Sequence, residues 1–147
     1  MKNYVLLVFL NFFAISSFAQ ILEFKFYNSN EKEYTTTTFN KQLETEYKSD
    51  FSERIILLET TSLNDSLYLK QKNILTSLDT ETHQLIFITA CSTEKFIHGY
   101  HTSIKVAKDI IGTNPKFRIR ILNTRADIIF ESHNVISVRK IKEILKK

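Results

Sequence analysis

One cysteine and two nearby histidines are the side chains in this chain best suited to chemistry. Cys91, His98 and His101 form the pattern C-x6-H-x2-H. Thiolate and neutral imidazole are good zinc or copper ligands, so this segment could supply three of them, with Glu94 as an available carboxylate. Cys91 alone also admits single-cysteine peroxidase or mixed-disulfide chemistry, or a disulfide to another chain. Its plainer reading is a small apolar residue at a sheet margin, because free cysteine is among the most buried residue types. A second constellation is cationic. Lys116, Arg118 and Arg120 recur at alternate positions, a row that either binds an anionic ligand or partner or forms a solvated strand face.

Other chemistries lack their residues. Gly99 and Gly112 are the only glycines, too few for a phosphate-cradling loop, and no G-x-S-x-G nucleophile elbow occurs. His83 and His133 fall near strand ends or turns, where solvation accounts for them. No motif implies a cofactor. With 20 Lys and Arg against 16 Asp and Glu the formal charge is +4. The basic and aromatic motifs of nucleic-acid modules are missing, so nucleic acid is not an expected partner. The charge suits an anionic ligand or an envelope protein.

These residues must be positioned by a small number of elements. Arg54 to Glu59 (RIILLE) and Gln84 to Ala90 (QLIFITA) are short apolar runs bounded by polar residues, the pattern of strands buried on both faces. Between them Leu63, Leu67, Ile74, Leu75 and Leu78 follow a helical stripe, with Asn64 as N-cap, Asp65 in the first turn and an end near Asp79. Two such strands joined by a helix form a parallel βαβ unit. Ile104, Ala107 and Ile111 mark a second helix stopped by Gly112. In KFRIRIL, Phe117, Ile119 and Ile121 alternate with the cationic row, which predicts a strand with one buried face. A turn over Asn123 to Asp127 leads to a partner strand around Ile128 to Phe130 and completes an antiparallel hairpin. Ser137 caps a last helix with Val138, Ile141, Ile144 and Leu145 on its core side.

The order is β-α-β-α-β-β-α, an α/β fold with a mixed sheet, a C-terminal hairpin and a final helix. Residues 20–53 read as an N-terminal extension that packs on this unit or stays partly mobile. It holds a short strand within Ile21 to Tyr27, a threonine run, and a turn or two of helix within Lys41 to Tyr47. Residues 1–19 have the three-part layout of a secretory signal peptide: Lys2, an apolar run over Val5 to Phe13, then Ser17 and Ala19 before the cut. The run is short of the roughly 20 apolar residues of a stable span. Cleavage leaves 128 of the 147 residues and, with Lys2 gone, a charge of +3. The expected product is exported, periplasmic or extracellular, without a stable membrane span.

The element order resembles the thioredoxin fold, and Pro115 stands where thioredoxin-like proteins usually carry a cis-proline. More narrowly, Arg54 to Lys147 resembles the exported bacterial family catalogued as domain of unknown function 4174. The resemblance rests on RIILLET with Asn64–Asp65, LYLKQKNIL with Gln71, ILNTRADIIFES and SVRKIKEIL. It implies a thioredoxin-like domain over 54–147 and no assigned activity. KFRIRIL is more basic than the family's third strand, so its polar face is either open or covered by something acidic. A thioredoxin-like oxidoreductase needs a cysteine at the start of its first core helix and a second three positions on. Here that position reads Thr60-Thr61-Ser62-Leu63-Asn64-Asp65. Dithiol exchange is excluded by residue type, leaving binding of an envelope partner, a redox role for Cys91, or metal carriage as the functions to weigh.

Overall fold

In the computed structural model, which describes residues 20–79, 84–113 and 116–146, one seven-stranded mixed sheet organises the chain. The elements run β1 Lys25–Tyr27, β2 Glu33–Thr35, α1 Phe39–Tyr47, β3 Arg54–Thr60, α2 Ser66–Leu75, β4 Leu85–Cys91 and β5 Tyr100–His101. They continue with α3 Ile104–Ile111, β6 Phe117–Leu122, β7 Ile128–Ser132 and α4 Val138–Leu145. Across the sheet the order is β2-β1-β5-β4-β3-β6-β7. β3 and β4 are parallel, with Arg54 opposite Leu85 and Thr60 opposite Cys91. β6 runs antiparallel to β3 and β7 antiparallel to β6.

The helices cover both faces. Ile55, Leu57, Ile86 and Ile88 pack with Phe39 and Leu43 of α1 and with Ala107 and Ile111 of α3. Ile56, Leu58, Ile119 and Ile121 pack with Tyr68 and Leu75 of α2 and Ile141 of α4. Each fully buried aliphatic side chain contributes about 1.5–3 kcal/mol of transfer free energy, and the two layers explain the unbroken apolar runs in β3 and β4. The caps follow from the sequence. Ser103 Oγ accepts from Val106 N–H, Ser137 Oγ accepts from Lys140 N–H, and Gly112 ends α3 at φ 59°.

Four expectations are revised. The N-cap of α2 is Asp65, whose carboxylate accepts from the N–H groups of Leu67 and Tyr68, so the helix begins after Asp65 and not after Asn64. Its inward stripe is Tyr68, Gln71 and Leu75, whereas Leu67 is 38% exposed. Tyr100–His101, absent from the expected element order, is a two-residue strand, paired parallel to β4 and antiparallel to β1. β6 does not have one solvated face: all six of its residues are buried, because β3 and β7 flank it and helices cover both faces.

Residues 20–53 supply β1, β2 and α1 of the same sheet and core. Phe26, Tyr34, Phe39 and Tyr100 form an aromatic cluster with ring centroids 5.2 to 6.1 Å apart, in stacked, tilted and edge contacts of the kind that add to area burial. Leu22 N–H donates to Ala126 O and Ile128 N–H to Gln20 O, fastening the start of the segment to the β6–β7 turn. The signal-peptide reading of residues 1–19, His83 and the cis-proline reading of Pro115 lie outside the described residues. Among the described residues no helix is long and apolar enough to cross a membrane.

Candidate functional site

The corner between β3 and α2 is built from hydroxyls and two carboxylates, Glu94 and Asp65. Thr60 Oγ1 donates to Ser62 O at 2.8 Å and accepts from Ser62 N–H at 3.2 Å. Thr93 Oγ1 donates to Thr61 O at 2.6 Å, and Ser62 Oγ donates to Glu94 Oε1 at 3.3 Å. Asp65 then caps the helix. The free N–H groups that would stabilise a thiolate at a helix start here serve an aspartate side chain. None of residues 60–65 is a cysteine.

Cys91 lies on the neighbouring strand, opposite Thr60 in register. It is 2% exposed and its Sγ is 3.8 Å from Thr93 Oγ1. His98 is exposed, its ring 6.4 Å from that of Phe96. His101 is buried within β5, with Nδ1 3.3 Å from Gly99 O. Cys91, His98 and His101 do not come together as a ligand set: among the described residues no group of three or more His, Cys, Asp or Glu side chains is placed to hold an ion. One candidate ligand points to solvent while the other two are committed to the sheet.

The cationic row divides. Lys116 is exposed, but Arg118 and Arg120 are buried beside Glu59. Arg118 donates to Glu59 Oε2 from Nε at 2.8 Å and from Nη2 at 2.5 Å, and Nη2 also reaches Ile110 O at the end of α3. Arg120 Nε donates to Glu131 Oε2 at 2.9 Å and lies 3.2 Å from Glu59 Oε1 without hydrogen-bond alignment. Burial pushes the Glu59 carboxyl up from its usual range, opposed by the two guanidinium groups. Of the alternatives for this face, an open surface or an acidic cover, the structure has the second: Arg118 and Arg120 form a two-plus, two-minus ion cluster with Glu59 and Glu131. Glu59 is the residue missed. A lone charge in the apolar RIILLET strand was the available signal, since a buried charge calls for a partner.

An apolar depression lies elsewhere, at the outer edge of β4. A cleft of about 340 Å³ is lined by Leu58, Leu75, Leu85, Phe87, Phe96 and Tyr100, with Lys72 Nζ 5.0 Å above the Phe96 ring. It exists because β5 pairs with β4 only at Ile88 and Thr89. Gln84 O accepts from Arg54 on β3 and Thr89 O from Thr102 on the other side. The alternation of a strand therefore aims the Leu85 N–H and C=O and the Phe87 N–H at the open edge, without a strand partner. Desolvation pushes the Tyr100 phenol up to about 12, aided by the nearby Tyr34 and Glu53.

Comparison with known proteins places this architecture. No family model matches the chain, and no curated protein matches it. Solved structures do. A solution structure of a candidate protein disulfide isomerase from Bacteroides thetaiotaomicron aligns over 88% of this chain and 90% of its own, with TM-score 0.61 and 11% identity. The fold is thioredoxin-like. An exposed lipoprotein thioredoxin from Streptococcus pneumoniae aligns over 85% of this chain and 98% of its own, with TM-score 0.54 and 10% identity. ScoI of Arabidopsis thaliana, solved with copper bound, aligns over 86% and 96%, with TM-score 0.52 and 10% identity. At these identities the similarity is one of fold, so this thioredoxin-like domain's chemistry must be read from its own residues.

Proposed function

We propose that the protein is an exported thioredoxin-like domain that acts by binding a partner in the cell envelope and not by thiol exchange. The observation that carries this reading is the β3–α2 corner, where hydroxyls and the Asp65 cap occupy the place of a nucleophilic sulfur. The burial of Cys91 against Thr93 supports it further. Export rests on the signal-peptide pattern of residues 1–19. Membership of the family known as domain of unknown function 4174 rests on the quoted motifs and is part of the same proposal.

The partner chemistry that fits best is an extended apolar peptide segment. Leu85 and Phe87 offer backbone groups without a strand partner among the described residues, and Phe96, Leu75 and Tyr100 line space for the side chains of an added strand. The test is capture from envelope extract with wild type, Phe96→Asp and Cys91→Ser. Equal capture by wild type and Cys91→Ser with loss in Phe96→Asp is expected. Capture that needs Cys91, or that ignores Phe96, contradicts the reading.

A further inference from the structure

Away from the apolar cleft, a smaller recess of about 290 Å³ is framed by the β1–β2 turn, the β4–β5 loop and the start of α3, and lined by Tyr27, Glu31, Lys95, His101, Ser103 and Ile104. We propose that this recess binds a small neutral ligand rich in hydroxyl groups, a monosaccharide or related polyol, with His101 Nε2 as its buried acceptor.

The argument begins at His101. Its side chain is 1% exposed, yet Nε2 has no hydrogen-bond partner. Nδ1 lies 3.3 Å from the Gly99 carbonyl oxygen, which can only accept, so Nδ1 carries the proton. With Nδ1–H given to Gly99, Nε2 is the ring atom left without a partner, a lone pair whenever the ring is neutral. A buried polar atom without a partner costs about 1–3 kcal/mol and marks a place for a ligand or an unseen partner group. The atom that faces it is Glu31 Oε1 at 3.7 Å, a second acceptor and beyond hydrogen-bond distance. Two acceptors side by side are satisfied together by a molecule carrying several O–H groups.

The remaining walls select against charged ligands. Lys95 Nζ binds the same Glu31 oxygen at 2.8 Å, so one positive and one negative charge already cancel within the recess. An added anion would meet the carboxylate and an added cation the ammonium. Lys95 and the Ile104 N–H, left without an intrahelical partner at the start of α3, supply donors for ligand oxygens. The Tyr27 ring, whose centroid is 6.0 Å from that of His101, and Ile104 give the apolar face that a sugar ring requires. Glu31 is 57% exposed, so a ligand enters from solvent past its carboxylate, which stays beside Nε2 as the second acceptor. The volume lies at the small end of ligand pockets, which fits one ring and not an oligomer.

The test is a heteronuclear NMR titration of the isotope-labelled protein with D-glucose, D-ribose, myo-inositol and, separately, inorganic phosphate. Saturable shifts of the His101 ring signals and of the Lys95 and Ile104 amides with at least one polyol are expected. Glu31→Gln, an exposed change that keeps the fold, should weaken that binding by about threefold to tenfold, as loss of a charged acceptor implies. His101→Phe should abolish it, and the Lys95 amide spectrum of that variant reports whether the fold is retained. No shifts with any polyol, shifts with phosphate alone, or affinity unchanged in Glu31→Gln would each overturn the proposal.

Discussion

Replacing Arg118 by methionine removes the guanidinium that holds Glu59 and caps α3, while keeping an unbranched side chain of moderate volume. The structure sets the scale. The Arg118 and Glu59 side chains are 5% and 2% exposed, so Glu59 would be left in the interior with Arg120, misaligned at 3.2 Å, as its remaining counter-charge. Removing one member of a buried pair costs about 3–5 kcal/mol. Arg120 still compensates part of the charge, so the lower end, about 3 kcal/mol, is expected. With a urea slope of about 2 kcal/mol per molar for a domain of this size, the unfolding midpoint should fall by about 1.5 M. The cycle through Glu59→Gln and the double variant should show coupling of about 1–3 kcal/mol, because the second change removes the stranded carboxylate. Circular dichroism-monitored urea unfolding of the four proteins is the assay. A loss below about 1 kcal/mol, the range of exposed pairs, together with no coupling, would refute the reasoning and show that water reaches Glu59.

Further outcomes follow from the same contacts. Gln71 clamps the loop before α4, donating from Nε2 to Ile136 O at 3.1 Å and accepting from Ile136 N–H at 2.7 Å. Gln71→Ala should cost about 2–4 kcal/mol, from two backbone groups left unpaired and the cavity formed, and should speed hydrogen exchange at Ile136 by more than tenfold. The phenol of Tyr100 is raised to about 12 from an ordinary value of 10.0. A group raised in the folded state supports folding below its unfolded value and loses that contribution as pH climbs through the folded one. Wild type should therefore lose stability between pH 10 and 12, and Tyr100→Phe should flatten that part of the profile in thermal melts.

Much of the fold was legible because local signals agreed. The apolar runs of β3 and β4, Ser103 and Gly112 around α3, and Ser137 before α4 each state one element, and the structure has them there. β5 was not legible, since two residues carry no period and its pairing depends on β1 arriving from residues 20–53. The same dependence hid the burial of His101, which reads as a loop histidine beside Gly99 and Tyr100. Alternation in β6 misled, because it reports side-chain direction and not what covers each side. Glu59 meets Arg118 only through antiparallel register, 59 residues apart. That residues 60–65 hold no cysteine needed only residue types. The apolar cleft needed coordinates, since Leu75, Phe87 and Phe96 come from three separate elements.

The reactivity of Cys91 tests the account most directly. Its thiol should react with a disulfide reagent such as dithionitrobenzoate at least about a hundredfold more slowly in the folded protein than in urea, as opening of a stable core requires, and the protein should not accelerate insulin reduction by dithiothreitol. A folded-state rate near that of a free thiol, or insulin turnover lost in Cys91→Ser, would contradict it.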